Sequence, residues 1–507
     1  MKILRADQIR ELDAYTIKHE PIASIDLMER AAGQCAGWVR RHMQHKSALK
    51  IFCGMGNNGG DGLAMARMLA KKGLKVVVFV VKHAKKASED FLINEKRLQT
   101  HKHVKVEYLD EDSHFPEIHQ DELVIDAILG SGLARPLEGL LARLVSHINA
   151  SPAEVVSIDM PTGLFAEDNR SNDLNYIIRA DYTLSFQMPK LAFMMPLNEQ
   201  FAGQWFTLDI GLHPEGIRLA ETSYFYLHAS EIRSLYRHRK KFSHKGHYGH
   251  AFLMSGSYGK IGAAVLAARA TMRTGAGLLT VQLPHCGYEI MQTAVPEAMC
   301  HPGEHPHLIS EVADLEGFNA ICAGPGIGTH EQTARALKVL IQNASVPMVL
   351  DADALNILAE NPTWCGFLPK GSIFTPHPGE FDRLAGKTTD DHDRLEKAIE
   401  LAHRFQVHVV LKGAHTAVVC PDGRSFFNST GNPGMASGGS GDVLAGMILG
   451  WLAQNYSPLY SCLMAVYLHG RAGDLAAGRK GFEGLIASDI VEQIPKAIRT
   501  TMGGYRV

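Results

Sequence analysis

The 507-residue chain predicts an α/β protein. Three observations carry that prediction. Short β-branched runs alternate with longer amphipathic segments, the change of hydrophobic period that βαβ units leave in a sequence. Most of the runs are continuously apolar, as strands are when helices cover both faces of a parallel sheet. The pattern also breaks once, between Gly211 and His250, where Gly-Leu-His-Pro-Glu-Gly supplies turn chemistry and Arg237-His238-Arg239-Lys240-Lys241 a charge run. At about 150 residues per domain the length asks for two or three domains. The break puts one boundary near residue 220, dividing the chain into 1–220 and 221–507.

Taken in order, two helices are predicted over 6–18 and 24–45, interrupted by Pro21, which cannot continue a helix interior. They are expected to pack on the sheet or to form a subunit contact. Strands follow at 49–53, 75–81, 104–108, 123–127, 154–158 and 182–186, with helices between them. Beyond the break, strands are expected at 250–255, 278–283, 320–323, 347–351, 372–375, 408–412 and 417–420, with an apolar helix over 443–453.

Composition excludes several classes. Lys plus Arg number 51 and Asp plus Glu 53, a net charge of −2, which offers no general field to hold a polyanion, so nucleic acid is not an expected partner. Hydrophobic residues at 46% and charged residues at 21% describe a chain that folds throughout. The eight cysteines stand singly, without a Cys-x-x-Cys pair, and read as buried thiols in a reducing compartment. Charges interrupt the N-terminus where a signal peptide needs an apolar core, and the longest apolar stretch falls short of the roughly 18 residues a membrane span needs. The cytoplasm is the expected location, and a homo-oligomer the expected assembly.

The first candidate site begins at Cys53-Gly54-Met55-Gly56-Asn57-Asn58-Gly59-Gly60-Asp61-Gly62, a strand running through glycines into a helix, where backbone N–H groups can cradle phosphate. An ordinary dinucleotide fingerprint would add an acid about 20 residues on for the ribose. None occurs between Gly62 and Ala87, whereas Asn57, Asn58 and Asp61 bring side-chain oxygens that such a loop does not need. Two further strand ends carry oxygens: Asp126-Ala127-Ile128-Leu129-Gly130-Ser131-Gly132-Leu133 and Asp159-Met160-Pro161-Thr162-Gly163. Ligands of parallel sheets sit beyond strand C-termini, where all three segments fall. Asn58, Asp126 and Thr162 offer hard oxygen ligands to a cation.

With these motifs in view, the segment 1–215 resembles the NAD(P)H-hydrate epimerase family, whose marks are Gly-Asn-Asn-Gly-Gly-Asp-Gly, Asp-Ala-x-x-Gly-x-Gly and Asp-x-Pro-Ser-Gly. The resemblance implies a Rossmann-like three-layer α/β/α domain. It implies that Asn57, Asn58, Gly59, Gly60 and Asp61, the run Gly130, Ser131, Gly132, Leu133, Ala134, Arg135 and Pro136, and Asp159 contact a hydrated dinucleotide. It also implies potassium held by Asn58, Asp126 and Thr162, with Thr162 standing where the family usually has serine. Either Asp61 or Asp159 suits the acid–base work of inversion at C6.

The second half carries its strongest signal late. Leu411-Lys412-Gly413-Ala414-His415-Thr416 precedes Thr430-Gly431-Asn432-Pro433-Gly434-Met435-Ala436-Ser437-Gly438-Gly439-Ser440-Gly441-Asp442, which opens the apolar helix. A glycine-rich turn at a helix start makes an anion hole. An aspartate directly after it is placed to take a proton from a hydroxyl attacking a phosphoryl group held there. Gly256-Ser257-Tyr258-Gly259, Gly324-Pro325-Gly326-Ile327-Gly328 and Pro376-His377-Pro378-Gly379-Glu380 also end predicted strands.

On these motifs, with His244-Lys245-Gly246, the segment 225–507 resembles the ADP-dependent (S)-NAD(P)H-hydrate dehydratases, which implies a ribokinase-like three-layer α/β/α domain. The resemblance implies that Ala264, Gly326, His377 and Asp442 touch the hydrated nicotinamide nucleotide. Lys412, Gly413, Ala414, His415, Thr416 and Gly441 would hold ADP, which is expected to carry magnesium. The substrates implied are NADHX and NADPHX, the hydrated forms of NADH and NADPH, with Asp442 as the catalytic base. A ribokinase-type small-molecule kinase with an N-terminal binding module is the rival reading, and a nucleotide-sensing or RNA-associated scaffold a third. His238, His244, His247 and His250 cluster in the linker, where solvation explains them better than zinc, which needs a held geometry.

Overall fold

A computed structural model describes residues 1–43, 45–101 and 104–503. It divides the chain into two compact units, Met1–Tyr224 and Phe225–Val507.

In the first unit the helices Ala6–His19 and Ser24–His42 come before seven strands: β1 (Leu49–Cys53), β2 (Val76–Val81), β3 (Val104–Leu109), β4 (Leu123–Ala127), β5 (Glu154–Ile158), β6 (Tyr182–Phe186) and β7 (Gln204–Leu208). The sheet order is β3-β2-β1-β4-β5-β6-β7 and every pairing is parallel. This is the doubly wound, Rossmann-like arrangement, and the order reverses between β1 and β4. Leu49 pairs with Leu123, and Cys53 with Ala127, so the two loops that leave this switch point start level with each other. β1 and β4 are almost entirely buried, which is why their sequences are apolar apart from Lys50 in β1 and the site residue Asp126 in β4. One apolar cluster on each sheet face supplies the core. The missing prediction is β7, an edge strand that reads Gln-Trp-Phe-Thr-Leu and is only half-buried, so neither the alternating nor the continuous pattern shows in it.

The second unit holds a ten-stranded sheet: β8 (Tyr224–Tyr226), β9 (His250–Met254), β10 (Leu278–Leu283), β11 (Met299–Pro302), β12 (Ala320–Ala323), β13 (Met348–Leu350), β14 (Ile373–Phe374), β15 (His408–Leu411), β16 (Ala417–Val419) and β17 (Ser425–Phe427). Its order is β11-β10-β9-β12-β13-β14-β15-β16-β17-β8, parallel from β11 to β15 and antiparallel from β15 to β17. Here too the order reverses once in the parallel part, between β9 and β12. The helices Ile261–Thr274 and Ser440–Ala453 pack against each other through small residues. A Cβ on Gly446 would stand 2.2 Å from the Ala267 carbonyl oxygen, and Thr271 Oγ1 donates to the Gly446 carbonyl at 2.9 Å. Every residue from Val443 to Ala453 is buried, so the helix is apolar all round and the position of its first turn is rigidly set.

Among the described residues no helix is long and apolar enough to cross a membrane, and the eight cysteines are free. The charge run of the linker is taken up structurally. Arg237 donates to the Gln454 carbonyl at 3.1 Å and Arg239 to that of Gly275, so both satisfy carbonyls at helix C-termini. Each guanidinium also lies 3.8 Å from the centre of a tyrosine ring, Tyr456 and Tyr248 respectively. Among the described residues no three His, Cys, Asp or Glu side chains gather in an arrangement that could hold a metal ion, there or elsewhere.

Candidate functional sites

The first site is built at the switch point between β1 and β4. The chain leaves β1 at Gly54 so close to the β4 exit that a Cβ there would stand 2.0 Å from the Ile128 carbonyl oxygen, and only glycine fits. The helix Asn57–Ala70 starts three residues later, its first N–H groups pointing outward from the sheet edge. Gly130 joins the segments, since a Cβ on it would lie 3.4 Å from Asn58 Cγ and 3.5 Å from Asp159 Oδ2. The structure therefore brings Asn58, Gly130 and Asp159 together. Gly132, Ala134, Arg135 and Pro136 form an exposed rim, with Ser131 and Leu133 half-buried beside them.

Two side chains here have unusual surroundings. Asp126 is fully buried and its carboxylate accepts from Thr162 Oγ1 (2.6 Å), Thr162 N (2.8 Å), Ser157 Oγ (2.8 Å) and Ile128 N (3.3 Å). Burial raises its pKa and these four donors oppose the rise. Both polar atoms of the Asn58 amide are buried without a partner, an arrangement that costs free energy unless a ligand satisfies them. An orphaned amide oxygen beside the loop that joins Asp126 to Gly130 fits a hard monovalent cation.

Asp159 carries the clearest backbone signal. Its φ of +62° is the left-handed region, which a non-glycine residue enters at a cost of about 1 kcal/mol or more. Its Oδ1 takes the Lys190 ammonium at 2.8 Å, and its Oδ2 accepts from Ser131 N at 3.3 Å. Lys190 is completely buried and donates also to Ser185 Oγ at 2.9 Å. Burial alone would raise Asp159, but Lys190 and the hydrogen bonds outweigh it and hold the carboxyl below its ordinary value. Asp61 goes the other way: burial, then Asp159, Asp13 and Asp90, push it well above the carboxylate range. Asp13, from the first helix, is raised to about 7 by burial and by Asp159, with Lys190 opposing. Neither Lys190 nor Asp13 was found from the sequence. Lys190 falls four residues past the end of β6, at the sheet edge where Asp126 and Asp159 were read, and that position was its signal.

The second site repeats the plan at the switch between β9 and β12. Ser255 Oγ, Gly256 N and Ser257 Oγ all donate to carbonyls of Pro325 or Gly326, tying the two exit loops together at 2.6–2.9 Å. Gly326 has φ +66°, and a Cβ on it would stand 2.9 Å from the Lys260 carbonyl oxygen, so glycine is required twice over. Ala264 packs beneath Gly256 and is sealed from solvent, so its side chain offers no surface here. His377 caps the helix Pro378–Ala385: its Nδ1 accepts from Gly379 N and Glu380 N, while its side chain stays half exposed.

Lys412, Gly413, Ala414, His415 and Thr416 form the turn from β15 to β16, closed by Gly413 N donating to Thr416 Oγ1 at 3.3 Å. His415 is spent on the Asn428 carbonyl, 2.9 Å away. A Cβ on Gly441 would come 3.2 Å from Lys412 Nζ, so the ammonium lies against the glycine loop that opens the helix Ser440–Ala453. Asp442 sits in that first turn. Burial raises it to about 7, with Asp351, Asp353 and Glu380 adding to the rise and Lys412 opposing it. Asp351, missed in the sequence, is 1% exposed and binds Lys412 Nζ at 2.6 Å and Thr375 Oγ1 at 2.7 Å. Ala352 next to it has φ +49°, a second non-glycine residue in a strained conformation beside a functional acid. Asp353 accepts from Gly328 N at 2.8 Å and Lys260 Nζ at 3.2 Å. A lysine, a helix start and several carboxylates converge here, a donor set that suits a phosphate chain together with a divalent cation.

Comparison with known proteins places both units. Residues 251–496 match the family model described as NAD(P)H-hydrate dehydratase, and residues 24–192 match the model of the YjeF-related protein N-terminus. The bifunctional NAD(P)H-hydrate repair enzyme Nnr of Moorella thermoacetica is 35% identical to this chain, covering 98% of it and 97% of the relative. The enzyme of the same name from Escherichia coli is 33% identical, over 97% and 93%. A crystal structure of the ADP/ATP-dependent NAD(P)H-hydrate dehydratase from Bacillus subtilis, co-crystallised with ATP/Mg2+, is 32% identical and covers 55% of this chain and 98% of its own, with a TM-score of 0.49.

Proposed function

The chain belongs to the family of bifunctional NAD(P)H-hydrate repair enzymes, and from that premise we propose how its two sites share the work. The unit Met1–Tyr224 exchanges the R and S epimers of hydrated NADH and NADPH, and the unit Phe225–Val507 dehydrates the S form at the expense of ADP. NADHX and NADPHX are the substrates, the assembly a homo-oligomer, and the cytoplasm the location that the free cysteines favour.

In the epimerase site the hydrated ring carries a hydroxyl on C6, next to N1. Asp61, held protonated by burial, gives its proton to that hydroxyl; the C6–O bond breaks, water leaves, and the N1 lone pair forms the C=N bond. Water adds to the opposite face and passes a proton to Asp159, which Lys190 keeps ionised. The proton returns to Asp61 through solvent, and no net oxidation occurs. Asn57, Gly59, Gly60 and the rim from Gly130 to Pro136 bind the dinucleotide. Asn58, Asp126 and Thr162 would hold potassium, which would supply a fixed positive charge.

In the dehydratase site Asp442 removes the C6 hydroxyl proton. The oxygen attacks the terminal phosphorus of ADP and AMP leaves. Expulsion of phosphate with loss of a C5 proton then gives the C5=C6 bond of NAD(P)H. Lys412 and the N–H groups around Gly441 bind the phosphates, His377 and Gly326 line the nucleotide, and magnesium would neutralise charge on the bridging oxygens. The observation that carries this reading is Asp442 itself, a carboxyl raised to about 7 in the first turn of a helix whose glycine start touches a lysine. A base with that pKa is matched to neutral pH.

The test is incubation of the whole chain with S-NADPHX, and separately R-NADPHX, in the presence of ADP and magnesium. Absorbance near the NADPH band should rise with both epimers. No rise with either removes the reading, and a rise with S alone removes the epimerase half.

A further inference from the structure

The helix Ala6–His19 lies upstream of the residues that the N-terminal family model matches. It is nevertheless fixed to the site. Ala6 N donates to Glu167 Oε1, in the loop after Asp159, at 2.8 Å, and Thr16 Oγ1 accepts from His213 N at 3.0 Å. Arg10 and Asp13 stand three residues apart and share one face of the helix. Two independent observations show where that face is turned. Asp13 is electrostatically coupled to Asp159 and Lys190. Arg10 Nη1 lies 3.9 Å from where a Cβ on Gly132 would stand, over the rim of the epimerase site.

The charge balance of the site gives this arginine a task. Asp13, Asp61 and Asp159 are coupled to one another electrostatically, and the buried cation beside them, Lys190, is committed to Asp159. A dinucleotide brings at least two further negative charges to this cluster of acids. Arg10 is exposed, and among the described residues it makes no hydrogen bond or ion pair that would have to be broken before it met a ligand. A guanidinium presents a planar fork of donors that matches phosphate oxygens two at a time.

We propose that Arg10 is a substrate-binding residue of the N-terminal site, meeting a phosphate of the hydrated dinucleotide above the Gly130–Pro136 rim. The inference rests on the epimerase reading above. It also extends the site to a helix outside the family-model match, so relatives that lack this segment would lack the contact.

Epimer exchange by the full chain, followed with NADHX and NADPHX for the wild type, Arg10→Gln and Arg10→Lys, tests it. Arg10→Gln should raise KM about tenfold, what a lost charge-assisted contact is worth, with kcat within about twofold, and Arg10→Lys should recover most of the loss. An equal rise with both substrates assigns the contact to the shared diphosphate, and a rise with NADPHX alone to the 2′-phosphate; both support the proposal. An unchanged KM for Arg10→Gln with both substrates overturns it, as does a loss confined to kcat. A denaturation midpoint of the first unit equal to that of the wild type reports that the variants are folded. A wild type that exchanged no epimers would remove the function reading and this inference with it, an outcome distinct from an active wild type whose Arg10 variants behave alike.

Discussion

Each unit sets a lysine against an aspartate at the end of its sheet, and the two pairs are turned in opposite directions. In the first, Lys190 is completely buried and the Asp159 side chain is 11% exposed. In the second, Asp351 is 1% exposed and the Lys412 side chain 20%. In the first pair the sealed lysine holds the carboxyl that faces the site below its ordinary value; in the second the sealed aspartate holds the Lys412 ammonium in place at 2.6 Å. The first site thus presents an ionised carboxylate, suited to accepting a proton. The second presents a cation, suited to phosphate, and in the proposed mechanism proton transfer falls to Asp442, which stands outside the pair. The same two residue types, placed at the same kind of sheet edge, give a site for ring chemistry in one unit and for phosphoryl transfer in the other. The order in which burial takes them decides which.

The comparison is broken most severely at Asp442. Asp442→Asn should lower dehydration of S-NADPHX about a thousandfold, within the range general-base groups supply, and leave epimer exchange intact. The absorbance assay with ADP measures the first, and separation of the epimers by chromatography the second. Equal loss of both activities would contradict the division into two sites.

Next in size is Lys190→Met, which leaves Asp159 buried without its cation. Loss of one partner from a buried pair costs about 3–5 kcal/mol, so the denaturation midpoint of the first unit should fall. Asp159 should also pick up a proton, and epimer exchange should drop about a hundredfold with dehydration unaffected. Lys412→Met, by contrast, should chiefly raise the KM for ADP. If Lys412→Met damaged stability as much and KM as little as Lys190→Met, the opposite orientation of the pairs would have no functional content.

The pH dependence sharpens the same contrast. Asp442 works as a base only when ionised, and its pKa of about 7 means that the active form is lost as pH falls through 7. At pH 5 dehydration should run at about one hundredth of its plateau. Asp159 is held below its ordinary value by Lys190 and stays ionised at pH 5, while Asp61 is held protonated. Epimer exchange should therefore lose far less than a hundredfold between pH 7 and 5, although Asp13, raised to about 7, takes up a proton beside these groups in that window. Parallel pH–rate profiles for the two activities would show that the two acids are not set apart in this way.

How these groups could be read beforehand differs between the units. The buried strands and the glycine loops were legible because each forces a residue type: β1 and β4 are apolar at all but one position each, Lys50 and Asp126, and Gly54 and Gly326 admit no side chain. Edge strands impose no such demand, and of the four edges β7, β8 and β11 passed unseen while β3 was read; β17, next to the β8 edge, was missed because it is only three residues long. Asp126, Asp159 and Asp442 were read because they adjoin glycine motifs. Lys190, Asp13 and Asp351 were not, because pairing depends on which side chains the fold turns toward one another, and a lone lysine or aspartate in sequence looks the same whether solvated or sealed. Asp351 was the nearest miss: it ended a predicted strand, as Asp126 and Asp159 nearly did, but no glycine followed it.

The smallest expected effect lies in the threonines that serve a buried aspartate in each unit. Thr162 Oγ1 donates to Asp126 at 2.6 Å and Thr375 Oγ1 to Asp351 at 2.7 Å. Thr162→Ser keeps the hydroxyl and removes one methyl, about 1 kcal/mol of burial, so epimer exchange should stay within about twofold. Thr162→Val keeps the shape and removes the donor. Leu129 N, which Thr162 Oγ1 accepts at 3.0 Å, then also loses its partner, a cost of about 1–3 kcal/mol, and epimer exchange should fall about tenfold in an assay at fixed potassium. Thr375→Val should do less to dehydration, about threefold, because Lys412 still compensates Asp351, whereas the donors to Asp126 are neutral groups. Equal losses from the two valine variants would mean that the lysine at Asp351 is engaged wholly with ligand and contributes nothing to holding the aspartate's charge.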